Sequence, residues 1–161
     1  MRYVIIATHG NLSKGVEEAL TLFMNVKEQV IFINAFTDDR NLHELVESTM
    51  KKIPKESECI IITDMMSGSV TREFFNYLVR ADTYLLTGFN FPLILEILTL
   101  PPDDRVSLSK LKDIVDRAKQ EVMMVDLEVI HEILNTNSPD EVLHILNEHH
   151  RDLKNGDLSP N

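Results

Sequence analysis

The sequence predicts an α/β fold: a doubly wound, mostly parallel sheet of the flavodoxin type with strand order 2-1-3-4. Three observations carry this. Four short runs rich in β-branched and apolar residues recur through the chain up to Thr87. Helical patterns fill the gaps between them. The residues with chemical character follow the carboxyl ends of the runs. Near-continuous apolar runs of this length suit strands buried on both faces. Their alternation with helices calls for crossover connections and a parallel sheet.

In order along the chain, Arg2 to Thr8 (RYVIIAT) reads as the first strand. Leu12 to Met24 follows as a helix with Val16, Leu20 and Phe23 on one face. Gln29 to Asn34 (QVIFIN) is the second strand. Asn41 to Ile53 is a helix turning Leu42, Leu45, Val46 and Ile53 inward, with Thr37 or Asp38 able to cap its start. Cys59 to Thr63 (CIIIT) is the third strand, and Thr71 to Arg80 a helix carrying Phe74, Phe75 and Leu78. Thr83 to Thr87 (TYLLT) is the fourth strand. Phe91 to Leu100 is a short helix stopped by Pro101-Pro102. Leu108 to Gln120 is another, with Leu111, Ile114, Val115 and Ala118 inward. In Glu121 to Ile130 (EVMMVDLEVI) the β-branched content and the alternation of Met123, Val125 and Leu127 predict a last strand. Asn135 to Pro139 reads as a turn, Asp140 to His149 as a short amphipathic helix, and Lys154 to Asn161 as a frayed end.

The 161 residues fit one domain, and 43% hydrophobic with 26% charged residues is the balance of a soluble globular protein. No apolar run approaches the roughly 20 residues of a membrane span. Met1-Arg2-Tyr3 offers no basic segment ahead of the first apolar run, which predicts no signal peptide. The lone Cys59 allows no internal disulfide and reads as a small core residue. These features predict a cytoplasmic protein. The net charge of −10 argues against a nucleic-acid partner and suits a basic protein partner.

In an open parallel sheet, ligands bind beyond the carboxyl ends of the strands, where the strand order reverses. Thr8-His9-Gly10 follows the first strand, Asp64-Met65-Met66-Ser67-Gly68-Ser69 the third, and Gly88-Phe89-Asn90 the fourth. In the order 2-1-3-4 the first and third strands are neighbours, so His9 and Asp64 face each other. A carboxylate that accepts one ring N–H fixes the tautomer and leaves the other nitrogen a nucleophile. It also stabilises the positive ring formed when that nitrogen takes a phosphoryl group. Ser67, Gly68 and Ser69 put small residues at the start of a helix, where free N–H groups and hydroxyls can hold phosphoryl oxygens. Gly10 leaves the side of the histidine open and lets the chain turn sharply. Such a nucleophile needs no metal and no cofactor. His43, His131 and His144 read as surface residues. His144, His149 and His150 with Asp152 mimic a metal cluster only by spacing.

Three segments resemble the IIA domain of the mannose-type sugar phosphotransferase system (PTS) family, which includes systems for mannose, fructose, sorbose, N-acetylgalactosamine and gluconate. Ile5 to Gly15 (IIATHGNLSKG) is similar to the family's strand, His-Gly and following helix. Ile61 to Ser69 (IITDMMSGS) is similar to Thr-Asp-x-x-Gly-Gly-Ser. Thr87 to Glu96 (TGFNFPLILE), with Asn90, is similar to Gly-x-Asn-x-Pro-Met-Leu-x-Glu. The resemblance implies that His9 accepts a phosphoryl group from the phosphocarrier HPr, that Asp64 holds His9, and that Ser69 helps bind the phosphoryl group. It further implies transfer to a IIB component, contact with the membrane only through IIC and IID, and a homodimer with the last strand, Glu121 to Ile130, paired across the interface. The domain then spans residues 1–130, with a helical extension and tail at 131–161, a stand-alone IIA component.

The sequence departs from the pattern at Ser67, where the family has the first of two glycines, at Val70, where it often has proline, and at Thr71-Arg72, where it has Phe-Asn. Arg72 is placed to meet phosphate, a partner, or only solvent. Three other readings compete. The PTS-dependent subunit of dihydroxyacetone kinase shares the fold and the histidine but usually lacks the Gly after His and the Gly-Ser pair. A response-regulator receiver needs an acidic pair after the first strand, where His9 stands. A non-enzymatic module could bind a nucleotide or flavin at the switch point, although no G-x-G-x-x-G follows the first strand.

Overall fold

The computed structural model describes residues 1–102, 104–136 and 138–155, with the side chains of residue 128 and of residues 149–155 outside the description. Strands β1 (Arg2–His9), β2 (Val30–Ala35), β3 (Glu58–Thr63) and β4 (Thr83–Thr87) form one sheet in the order β2-β1-β3-β4. Every pairing is parallel, with Ile5 opposite Ile31 and Ile61, and Thr63 opposite Thr87. The helices are α1 (Leu12–Leu20), α2 (Leu42–Lys52), α3 (Ser69–Glu73), α4 (Phe91–Thr99), α5 (Leu108–Gln120), α6 (Leu127–Asn135) and α7 (Pro139–Asn155). The chain divides into two units, Met1–Val115 and Asp116–Asn161.

The first unit contains the whole sheet. From β1 the chain steps to one side to reach β2, and then to the other side to reach β3 and β4. Right-handed crossovers in opposite directions put their helices on opposite faces. On the face of α2 and α3, Ile5, Ala7, Ile33, Ala35, Cys59 and Ile61 of the strands pack with Val46, Met50, Val70 and Phe74. The alternate strand residues Val4, Ile6, Ile60 and Ile62 are buried as well, so β1 and β3 read as unbroken apolar runs. Burial pushes the Cys59 thiol up to about 12, which leaves it an inert core residue.

The amino-terminal end of the two central strands is tied by a buried ion pair. The Arg2 guanidinium donates to the Glu58 carboxylate, whose second oxygen accepts the Val106 N–H at 2.7 Å. Arg2 also donates to the carbonyls of Pro101 (3.1 Å) and Asp104 (2.6 Å), anchoring the connection from α4 to α5 beneath the strands. Breaking a buried pair strands the remaining charge. Glu58→Ala is therefore expected to destabilise the protein by about 3–5 kcal/mol, read as a lowered urea midpoint with unchanged slope.

Several local expectations are corrected. Helix α1 ends at Leu20, so Phe23 is exposed and its ring instead meets Phe91, centroids 5.5 Å apart. The cap of α2 is Asn41, whose side chain accepts the N–H groups of His43 (2.8 Å) and Glu44 (3.4 Å); Asp38 binds Arg40 instead. The single helix expected over 71–80 breaks into α3 and a 3-10 turn, Phe75–Val79, leaving Phe74 buried but Phe75 and Leu78 exposed.

The last strand is not formed either. Residues 122–126 are irregular, and helix α6 begins at Leu127, where the Asp126 carboxylate accepts the Val129 N–H at 3.0 Å. A side-chain cap followed by apolar residues at Leu127, Ile130 and Leu134 favours a helix over the brief alternation ahead of it. The sheet of the described residues therefore has no antiparallel member. In the second unit, α6 and α7 pack on each other, and α7 runs on to Asn155, beyond the expected end at His149. His43, His131 and His144 are exposed. The side chains of His149, His150 and Asp152 and the tail from Gly156 lie outside the described residues.

Candidate functional site

Strand order reverses between β1 and β3, and the residues that end these strands meet there. A single carboxylate oxygen, Oδ2 of Asp64, accepts both the backbone N–H of His9 at 2.9 Å and the ring N–H at Nδ1 at 2.8 Å. With the proton on Nδ1, the other ring nitrogen, Nε2, carries the lone pair. That nitrogen lies 3.2 Å from the Ser69 hydroxyl, which donates to it. Burial pushes the Asp64 carboxyl up, but the hydrogen bonds from the His9 backbone and ring outweigh it, and its pKa lies below the ordinary carboxylate value. About a third of the His9 side chain is open to solvent, against 14% for Asp64. The His9 ring is thus reachable while the carboxylate that holds it is sheltered.

The loop from β3 to α3 sets this geometry. Gly68 donates its N–H to the Met65 carbonyl at 3.2 Å, and the Thr71 hydroxyl donates to the same carbonyl at 2.6 Å while lying 2.7 Å from the Thr63 hydroxyl. On the neighbouring side, Thr8 accepts the Ser13 N–H at 2.7 Å, and Ser13 donates to Ile33 and Asn34, which locks α1 beside β2. Gly10 has φ +57, the left-handed turn that β1 needs to enter α1, and its N–H donates to the Ala35 carbonyl at 2.8 Å.

Gly68 has ordinary φ of −70°, so its lack of a side chain answers to space alone. A Cβ there would stand 2.7 Å from His9 Cε1 and 2.8 Å from Met65 Cγ. To reach an ordinary contact the histidine ring must shift by roughly 0.7 Å or the loop must open. Since a misplacement of about 1 Å can cost on the order of 10²-fold, Gly68→Ala is expected to slow reaction at Nε2 by about 10- to 10²-fold without unfolding the chain. Single-turnover labelling of the variant checks this.

Of the residues singled out in the sequence, His9, Asp64, Gly68 and Ser69 converge. Ser67 is exposed at the crown of the loop and does not adopt a positive φ, so serine replaces glycine there without backbone strain. Asn90 caps α4, accepting the Leu93 N–H at 3.1 Å. Arg72 is exposed and makes no ion pair among the described residues.

Two features escaped the sequence reading. The Phe36 ring, first after β2, stacks on His9 with centroids 5.7 Å apart and planes 28° from parallel. Its signal was its position: an aromatic at the carboxyl end of a strand, just where the other site residues stand. Phe36, Leu12, Met65 and Met66 are also half or more exposed, and each follows the carboxyl end of a strand. They form an apolar rim at the histidine's end of the sheet, a surface suited to a protein partner.

Comparison with known proteins places the chain in a family. The family model EIIA-man, PTS system fructose IIA component, matches residues 3–118. The PTS system fructose-specific EIIA component of Bacillus subtilis (strain 168) is 22% identical over 137 residues, covering 83% of this chain and 92% of that protein. Among solved structures, a Klebsiella pneumoniae protein described as a candidate phosphoenolpyruvate-dependent sugar PTS permease superposes with a TM-score of 0.73 at 27% identity, over 80% of this chain and 93% of its own. The PTS IIA protein associated with the fucose utilization operon of Streptococcus pneumoniae gives a TM-score of 0.66 at 21% identity, over 83% and 96% of the two chains. With the family model spanning most of the chain and the fold shared by these structures, the chain belongs to the EIIA-man family of sugar phosphotransferase system IIA components.

Proposed function

We propose that this IIA component is a phosphohistidine carrier in which His9 Nε2 takes a phosphoryl group from phospho-HPr and gives it to a IIB component. The observation that supports this most is the pairing of the two ring nitrogens: Nδ1 is held at 2.8 Å by Asp64, and Nε2 points to the Ser69 hydroxyl at 3.2 Å. The Nε2 lone pair attacks phosphorus in line as the P–N bond to the donor's histidine breaks, and that bond's electron pair returns to the donor's ring. Nδ1 keeps its proton, so the His9 ring becomes formally positive, and the Asp64 carboxylate stabilises that charge. The Ser69 hydroxyl releases Nε2 and turns to a phosphoryl oxygen. The N–H groups of Ser69, Val70 and Thr71 open α3, which no side chain caps, and supply further donors for those oxygens. Ser67 and Gly68 contribute backbone and space to the same cradle, while Gly10 and Asn90 support it from the neighbouring turns.

The apolar rim fits the sequential docking of HPr and IIB, since HPr must bring its phosphorylated histidine to Nε2 and IIB must bring its unphosphorylated acceptor side chain to the phosphoryl group that Nε2 then carries. No helix among the described residues is long and apolar enough to cross a membrane, and the reading puts the carrier in the cytoplasm with its donor. Self-association, expected from the family, is read from the mass in solution. Incubation with enzyme I, HPr and radiolabelled phosphoenolpyruvate tests the proposal: an acid-labile, base-stable label on this chain supports it, and an unlabelled chain overturns it.

A further inference from the structure

Phe36 holds a backbone conformation that bulky residues avoid. Its φ is +63, the left-handed region, where a residue with a Cβ and an aromatic ring carries strain. The residue is 60% exposed, so burial does not repay that strain. What the conformation achieves is the contact with His9, centroids 5.7 Å apart and planes 28° from parallel. We propose that Phe36 is a positioning residue for His9 whose ring face selectively favours the phosphorylated, positively charged imidazole over the neutral one. The inference rests on the phosphocarrier reading and deepens it, because it assigns a residue that sets where the phosphoryl equilibrium lies.

The argument is electrostatic. The face of a phenyl ring carries negative quadrupole density and attracts a cation lying within about 6 Å of its centroid. Neutral imidazole gains little from this. Once Nε2 carries the phosphoryl group and Nδ1 keeps its proton toward Asp64, the ring is formally positive and gains more. Asp64 acts in the plane of the ring, through Nδ1, and Phe36 acts on its face. The two therefore stabilise the same charge from different directions.

A purely structural role makes a different prediction. A side chain that only holds the loop, or only steers the histidine, changes forward and reverse transfer alike and leaves the equilibrium constant fixed. One that prefers the charged ring moves the equilibrium. The test is the equilibrium constant for phosphoryl exchange between phospho-HPr and this chain, measured in wild type, Phe36→Leu and Phe36→Tyr. Leucine keeps bulk and bears the same backbone strain but has no π face; tyrosine keeps the face. Phe36→Leu is expected to lower the equilibrium phosphorylation constant about two- to fivefold, the range of an exposed cation–π contact, and Phe36→Tyr to restore the wild-type value. An unchanged constant in Phe36→Leu, even with slower transfer in both directions, overturns the charge-selective role and leaves the phosphocarrier reading intact. A constant lowered equally by leucine and tyrosine overturns it too. A wild-type chain that takes no phosphoryl group from phospho-HPr overturns both.

Discussion

His9→Ala is expected to carry no phosphoryl label when mixed with enzyme I, HPr and phosphoenolpyruvate, while remaining folded. The substitution removes the only nucleophile that the site orients toward Ser69. No neighbour can replace it: Ser69 has no base beside it once the ring is gone, Asp64 is mostly sheltered, and Cys59 is buried with a strongly raised pKa. The fold has little reason to fail. His9 ends its strand, and its backbone N–H keeps its acceptor, Asp64 Oδ2, whatever side chain stands at the position. The expected outcome is therefore a loss of label to background with an unchanged circular dichroism spectrum. Equal labelling of variant and wild type would move the acceptor to another residue.

Asp64→Asn carries the second large effect. The amide can keep its oxygen toward the His9 N–H groups, so the shape of the site survives. The charge does not, and hydrogen bonds to an ionised acceptor are roughly twice as strong as neutral ones. The amide can also turn its NH₂ toward the ring and impose the wrong tautomer, leaving Nε2 with the proton and no lone pair. In a Ser-His-Asp triad the equivalent Asp→Asn change imposes the wrong histidine tautomer and costs on the order of 10⁴-fold, and a fall of about 10²- to 10⁴-fold is expected here. It should show in the rate of phosphoryl transfer with the thermal midpoint nearly preserved. The direction of the Asp64 pKa adds a pH signature. A carboxyl group whose pKa is lowered by folding contributes stability above its unfolded value and loses it as pH falls through the lower, folded value. The His9–Asp64 contact thus persists through weakly acidic conditions, and Asp64→Asn should flatten the acid limb of the stability curve.

Sequence reasoning reached the sheet because its signals are local and strong. Four apolar runs, each followed by a polar turn, leave little freedom in strand order once crossovers are right-handed, and the order places His9 beside Asp64. It failed where a local pattern had two readings. The stretch from Met123 to Leu127 alternates like a strand, but Asp126 starts a helix and the cap prevails. The segment from Thr71 to Arg80 has helical spacing, yet it tightens into a 3-10 turn after Glu73, and no residue in it announces that. Phe36 was missed for a different reason. A ring that stacks on a histidine across the sheet end has no sequence spacing to betray it, and its left-handed backbone is invisible without coordinates. Gly68 was legible only in part: the sequence marked it as a small residue at a helix start, whereas its ordinary φ and the proximity of His9 Cε1 show that the space beside the ring is what requires glycine.

Asp64 grips His9 at two points with one oxygen atom, and that atom belongs to the same short loop that carries Gly68 and Ser69. The histidine is thereby referenced to the loop as well as to its own strand. When the end of the sheet breathes, the backbone of His9, its ring and the Ser69 hydroxyl are carried along together, like parts mounted on one bracket. The alignment of Nε2 with the Ser69 hydroxyl is then insensitive to thermal motion of the strands. On the proposed reading this suits a histidine that presents the same geometry to two different proteins in turn, one delivering the group and one removing it, each pressing on the rim from outside.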